Sequence, residues 1–255
     1  MQVSPDLTLF PVNWKNADSC SYNQQNYIHV FKLNLDNLGQ FTESLVSFLS
    51  TEEKEKANRY SNIKDKNASI IRWAVTRLLI AKYSVNLPET LCFSRGKYGK
   101  PQLVQDNSSP SLFFNLSFSG NYALIAVSNR ETGVDIEQVK PGFNFRELLD
   151  FVFSSEEKKS ILNSTDPLTA FYCFFTRKEA IVKALGTGIH DQLPGLPVLG
   201  PASSQTIEYQ KELASLQLIS FKVTQNHIAS LAFNTDIENL LFYEADEQWL
   251  ATEIQ

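Results

Sequence analysis

Arg177-Lys178-Glu179-Ala180-Ile181-Val182-Lys183-Ala184-Leu185-Gly186 reads as the end of a long helix. Glu179 and Lys183 stand at i and i+4 and so share a face. Leu168, Phe171, Phe175 and Val182 recur at helical spacing, and Glu179 falls inside that apolar stripe. A carboxylate on an apolar face is costly unless it is paired or binds a cation. Asp166-Pro167 opens the helix, with Asp as N-cap and Pro at the first helical position, and Gly186 stands where a left-handed C-cap belongs. Upstream, Gly133-Val134-Asp135-Ile136-Glu137 reads as a strand. Its alternation sets Asp135 and Glu137 side by side on one face, with Val134 and Ile136 on the other. Each feature has a plainer explanation. Glu179 could pair with Lys183 or with an arginine of the helix at Ile70 to Tyr83, and Asp-x-Glu could be a solvated strand face. Three carboxylates split between a strand and a half-buried helix also suit a hard divalent cation such as Mg²⁺, which often holds substrate phosphates as well.

Working outward, Phe113 to Ser117 and Tyr122 to Ser128 form a hairpin through Phe118-Ser119-Gly120-Asn121. Tyr27 to Leu35 alternates as a strand, after an irregular polar stretch to about Gln25. Ser50-Thr51-Glu52-Glu53 and Ser154-Ser155-Glu156-Glu157 are capping boxes that open two short helices. The helix at Ile70 to Tyr83 carries Ile71, Val75, Leu78 and Leu79 at helical spacing, with Arg72 and Arg77 interleaved. Beyond a loop rich in Pro and Gly (Leu193 to Pro201), Leu216 to Val223, His227 to Phe233 and Leu240 to Tyr243 are expected to form a terminal antiparallel sheet. Helix and strand mix twice over, which makes the class α+β. A break near Lys140-Pro141-Gly142 divides the chain into halves at 1–140 and 141–255.

The 255 residues carry 43% hydrophobic and 20% charged side chains, ordinary for a soluble domain. A net charge of −5 gives no case for nucleic acid, yet Lys54 to Lys100 holds eleven Lys and Arg against three Asp and Glu. That stretch would draw an anionic ligand or an acidic partner. Cys20, Cys92 and Cys173 are odd in number and far apart, which suits a reducing compartment. Met1 to Asp6 lacks the basic and apolar segments of a signal peptide, and the apolar run Tyr122 to Val127 is too short to cross a bilayer. The expected location is the cytoplasm.

Several chemistries are excluded. His29, His190 and His227 are isolated and there is no Cys-x-x-Cys, so zinc is not expected. There is no P-loop, Gly186-Thr187-Gly188 is too short for a dinucleotide fingerprint, and no catalytic triad is spaced plausibly around Ser117 or Ser119. Gly96 and Gly99, flanking Lys97, Tyr98 and Lys100, could let backbone N–H groups approach an anion. Carboxylates for Mg²⁺ and lysines for phosphate charge suit phosphoryl chemistry.

Taken together, Gly99-Lys100-Pro101, Asn115-Leu116-Ser117-Phe118-Ser119-Gly120, Gly133 to Glu137, and Phe175 to Lys183 with Gly186-Thr187-Gly188 resemble the 4′-phosphopantetheinyl transferases of the Sfp type. The resemblance covers roughly Ile28 to Phe233. It implies a pseudo-dimer of two similar α+β halves with the site in the cleft between them. The implied activity moves the phosphopantetheine arm of coenzyme A onto a serine of an acyl or peptidyl carrier protein and releases 3′,5′-ADP. Implied roles follow by position. Asp135, Glu137 and Glu179 would hold Mg²⁺, and Glu179 would also take the serine proton, directly or through water. Lys183 would stabilise charge on the pyrophosphate. Lys100, Ser117 and Lys178 would help to hold phosphates, with Lys56 and Arg77 at the nucleotide end. The first half would bind coenzyme A and the second carry the catalytic helix; a monomer is expected, and carrier proteins are acidic, which fits the basic stretch. One departure stands out: the family's hairpin histidine, which helps hold a phosphate, is Phe118 here. A coenzyme A or nucleotide-binding protein without turnover is the alternative, and a Mg²⁺-dependent phosphohydrolase a third.

Overall fold

A computed structural model describes residues 9–22, 25–106, 110–188, 193–199, 205–209 and 212–255. Met1 to Asp6, His190 and Pro201, read above, lie outside the described residues. The strands are β1 (Trp14–Asn16), β2 (Tyr27–Asn34), β3 (Phe93–Arg95), β4 (Pro101–Leu103), β5 (Phe113–Ser119), β6 (Tyr122–Ser128), β7 (Thr132–Gln138), β8 (Gln205–Tyr209), β9 (Glu212–Thr224), β10 (His227–Asn234) and β11 (Asn239–Glu244). The helices are α1 (Thr42–Leu45), α2 (Thr51–Asn58), α3 (Ile63–Lys82), α4 (Leu149–Val152), α5 (Ser155–Leu162), α6 (Pro167–Leu185) and α7 (Glu247–Glu253). One sheet runs β1-β11-β2-β6-β5 and a second runs β7-β10-β9-β8.

The local signals act as their chemistry dictates. Ser50 and Ser154 cap α2 and α5, and both capping boxes close reciprocally through Glu53 and Glu157. Asp166 caps α6 by accepting from the Thr169 N–H, and Gly186 ends it at φ 65°, in the left-handed region that glycine enters without penalty. α3 begins at Ile63, earlier than its apolar periodicity suggests, because the Asn62 side chain caps it by accepting from Lys64 N.

One pattern recurs in both halves: a strand, a short capped helix, a long helix and a hairpin. In the first half these are β2, α2, α3 and β5–β6; in the second, β7, α5, α6 and β9–β10. The sheet orders β2-β6-β5 and β7-β10-β9 match in the same way. This is the α+β pseudo-dimer expected. Ile28, Val30, Leu124 and Ala126 of the first sheet and Val134, Ile136, Phe221 and Leu231 of the second share one buried cluster between the halves.

The final strand is a correction. β11 does not extend the second sheet; it runs parallel to β2 and to β1, inside the first sheet, with Phe242 opposite Val30 and Trp14. Alternation in Leu240 to Tyr243 marks a strand but does not name its neighbour. Trp14 to Asn16, within the stretch expected to be irregular, forms the edge beside it.

Candidate active site

β5 and β7 lie at facing edges of the two sheets, and side chains close the gap between them. The N–H of Val134 donates to Asn115 Oδ1 at 2.8 Å, that of Ile136 to Ser117 Oγ at 3.3 Å, and that of Gln138 to Ser119 Oγ at 3.0 Å. Asn115, Ser117 and Ser119 alternate along β5, so a two-residue period brings all three to one side. Three edge amides that a backbone neighbour would otherwise satisfy are thereby paired. The two hydroxyls also donate onward, Ser117 to Asp135 Oδ1 at 2.9 Å and Ser119 to Glu137 Oε2 at 2.8 Å. Asn115 and Ser119 have no assigned role in the sequence reading. Their signal was there, as period-two polar residues in an otherwise apolar strand.

α6 crosses β7 with almost no clearance. A Cβ on Gly133 would lie 2.1 Å from Ala180 O and 2.3 Å from Ala184 N. This glycine sets the depth at which Glu179 and Lys183 meet the strand. Lys183 Nζ lies 2.6 Å from Asp135 Oδ1 and donates to Ser117 Oγ at 2.9 Å. Ser117, Phe118, Asp135, Glu137, Phe175, Glu179 and Lys183 line a cavity of about 310 Å³. Glu179 and Lys183 also line a neighbouring cavity of about 340 Å³, whose other walls include Tyr98, Lys100, Gly186 and Gly188.

The electrostatics of the cluster favour a cation. Burial, then the charge of Asp135, pushes Glu179 up to about 7, against the pull of Lys183. Burial likewise raises Glu137, while its hydrogen bond from Ser119 acts the other way. Glu179 makes no ion pair among the described residues, so neither pairing offered as its plainer explanation is formed. Asp135 Oδ2 is buried without a hydrogen-bond partner. Among the described residues no three acidic, histidine or cysteine side chains close into a ready-made metal cage. The donor set nonetheless suits Mg²⁺: an orphaned carboxylate oxygen and two carboxyls raised in pKa face one cavity.

Other expected ligands lie elsewhere. Lys178, expected to hold phosphate, is 1% exposed, and its three donors go to Glu157 Oε2 (2.9 Å), Leu193 O and Leu196 O (both 2.7 Å). Arg77 grips Glu53 through Nε and Nη2, at 2.7 and 3.1 Å, and donates from Nη1 to Pro88 O and Leu91 O. Both cations are clamps: Lys178 has no donor left over for a nucleotide, and Arg77 commits four of its five. With Lys56, Arg77 lines a cavity of about 430 Å³ that none of the three carboxylates lines. Lys100 donates to Glu131, to Thr132 O and to Ala184 O, tying its glycine turn to the end of α6. Phe118 is 51% exposed, and the Arg72 guanidinium lies 3.6 Å from its ring centroid.

Two family models match in succession. Residues 38–130 match the N-terminal model of 4′-phosphopantetheinyl transferases, and residues 131–232 match that of the 4′-phosphopantetheinyl transferase superfamily. The chain belongs to this superfamily. The boundary between the two matches falls just before β7, where the second sheet begins. A putative 4′-phosphopantetheinyl transferase of Synechocystis is 36% identical over 146 residues, 56% of this chain and 59% of that protein. The 4′-phosphopantetheinyl transferase HetI of Nostoc is 29% identical over 64% of this chain and 70% of its own length. The 4′-phosphopantetheinyl transferase Sfp of Bacillus subtilis is 28% identical over 58% and 64%. The match to the Synechocystis and Bacillus proteins thus spans less than two thirds of either. Asn115, Ser117, Asp135, Glu137, Glu179 and Lys183 all lie within the segments this superfamily's models cover.

Proposed function

We propose that this protein transfers the 4′-phosphopantetheine arm of coenzyme A to a serine of an acyl or peptidyl carrier protein, releasing 3′,5′-ADP. The observation that supports this above all is the meeting of Asp135, Glu137, Glu179 and Lys183 at one cavity across the seam of the two halves. Asp135, Glu137 and Glu179 would hold Mg²⁺. Bound there, the metal would offset charge on the coenzyme A pyrophosphate. Glu179, lifted towards neutrality by burial and by Asp135, takes the proton of the carrier serine, directly or through water. The serine oxygen bonds to the phosphorus that bears the pantetheine arm. The bond from that phosphorus to the bridging oxygen breaks, and 3′,5′-ADP leaves with the electron pair. The Lys183 ammonium faces the charge that develops on the leaving oxygen. Ser117 orients Asp135 and Lys183 together, since it donates to one and accepts from the other.

The partner is an acidic carrier protein, drawn to the basic stretch from Lys54 to Lys100, and the setting is the cytoplasm, with Cys20, Cys92 and Cys173 as free thiols. No helix among the described residues is long and apolar enough to cross a membrane. The test is direct: incubate the protein with coenzyme A, Mg²⁺ and a panel of apo carrier proteins, then weigh the carriers. A gain of one phosphopantetheine arm, dependent on Mg²⁺ and lost in Asp135→Ala, is expected. Phe118 favours a second reading, coenzyme A binding without turnover; coenzyme A bound with no carrier modified would establish it.

A further inference from the structure

Arg72 projects from the middle of α3 and is 6% exposed. Among the described residues it enters no ion pair, and its guanidinium makes no hydrogen bond. Tyr60 and Asp65 are the titratable groups whose charge acts on it, and Asp65 stops short of pairing with it. Its one close side-chain partner of note is Phe118, with the guanidinium carbon 3.6 Å from the ring centroid. The other buried arginine described above behaves differently: Arg77 has a carboxylate on its fork and two carbonyls beside it. Burying most of an arginine with no protein partner for its five donors is unfavourable, although none of its nitrogens is fully sealed from solvent. Stacking on a ring satisfies a face of the cation and leaves its in-plane donors unused.

Position matters as much as the missing partner. Phe118 lines the cavity of the three carboxylates and Lys183, and Arg72, not itself a lining residue, lies against the ring of Phe118. An anion entering there meets repulsion from Asp135, Glu137 and Glu179, and positive charge on its far side would balance it. The planar fork of Arg72 fits a phosphate through two parallel N–H donors. A phenylalanine at 118 supplies no donor of its own; the cation stacked on it carries five.

We propose that Arg72, held flat against Phe118, anchors a phosphate group of coenzyme A and takes the part that a donor at position 118 would otherwise play. This rests on the reading of the protein as a coenzyme A-dependent transferase. The phosphate is either the 3′-phosphomonoester or the pyrophosphate, and both present the same fork-shaped acceptor.

Calorimetric titration with Mg²⁺ present separates these cases, using coenzyme A, 3′-dephospho-coenzyme A and inorganic pyrophosphate against the wild-type protein and its R72Q, R72K and F118L variants. R72Q should bind coenzyme A about 10- to 100-fold more weakly. Its Tm should hold or rise, because an unpaired buried charge has gone; a merely structural arginine would give a lower Tm and an unchanged affinity. R72K should recover part of the loss, and F118L should lose less than R72Q. If R72Q weakens 3′-dephospho-coenzyme A as much as coenzyme A, the anchored group is the pyrophosphate; if it weakens only coenzyme A, it is the 3′-phosphate. Equal coenzyme A affinity in wild type and R72Q overturns the proposal. Failure of the wild type to bind coenzyme A would sink the transferase reading instead. In that case the pyrophosphate titration decides on Arg72: weaker binding in R72Q upholds the anchor, and equal binding overturns it.

Discussion

The two halves solve one structural problem twice, with different cations. In the first, Glu53 of a capping box receives Arg77 of the long helix, which also donates to the carbonyls of Pro88 and Leu91. In the second, Glu157 of a capping box receives Lys178, which donates to the carbonyls of Leu193 and Leu196. Each clamp ties a short helix, a long helix and the turn after it into one unit. The halves part company one residue further on. Counting from the clamp, Leu78 stands where Glu179 stands and Lys82 where Lys183 stands. Leu78 is buried in the first core, and Lys82 pairs with Glu253 of α7. Glu179 and Lys183 face the seam and the carboxylate of Asp135. At these two positions the proposed chemistry falls on one copy of the frame, while the other copy packs a core and forms an ion pair.

The comparison can be broken at several points. The largest effect is expected at the paired positions just named. Glu179→Gln should lower carrier modification by about 10²- to 10⁴-fold with little change in Tm. Leu78→Ala should instead lose about 2–5 kcal/mol of stability, with transfer kept by the folded fraction. Denaturant melts beside transfer assays on both variants check this, and a reversed pattern would end the division of labour. Breaking either clamp comes next. Lys178→Ala should cost about 3–5 kcal/mol because it strands the buried Glu157 carboxylate, and Arg77→Ala less, because Glu53 is only partly buried. Coenzyme A affinity of the folded protein should not move; a selective loss of affinity in Lys178→Ala would return that residue to the phosphates.

Gly133→Ala probes the seam from the helix side. The added methyl meets Ala180 O and Ala184 N, and overpacking of this kind costs about 1–3 kcal/mol or more. It should also lift Glu179 and Lys183 away from Asp135, so transfer should fall further than stability alone explains. The smallest effect concerns pH. His29 of β2 is buried, and burial lowers it to about 4. The unfolded chain therefore binds the proton first, between about pH 6.5 and 4. Stability should be unaffected above that window and should fall by about 2–3 kcal/mol on acidification through it. His29→Phe should flatten that part of the pH–stability curve, and an unchanged slope would assign the acid sensitivity to other groups.

What the sequence disclosed follows how local each determinant is. Both capping boxes, the span of α6 and its terminal Gly186 depend on neighbours within one turn, and they form as read. The placement of Asp135, Glu137 and Glu179 at one cavity follows from two periodicities and one glycine. Lys178 misleads because a lysine beside Glu179 suggests a shared purpose, whereas adjacent positions on a helix point about 100° apart and Lys178 turns into its own half. Arg72 is noticed in the sequence only as an arginine interleaved in the apolar stripe of its helix, since its interest lies in the partners it lacks. The parallel placement of β11 is nonlocal in the strictest sense, for its neighbours lie more than 200 residues away.

That placement has a consequence for the chain as a whole. β11 sits between β1 and β2, with α7 directly after it burying Trp249 and Leu250 in the first core. A polypeptide cut just before β7 would leave β2 with a bare hydrogen-bonding edge, ready to pair with another molecule. The N-terminal half is therefore expected to self-associate when made alone and to stay soluble when the C-terminal fragment is supplied with it. Within the fold, β11 covers the edge of β2 that the first sheet would otherwise expose.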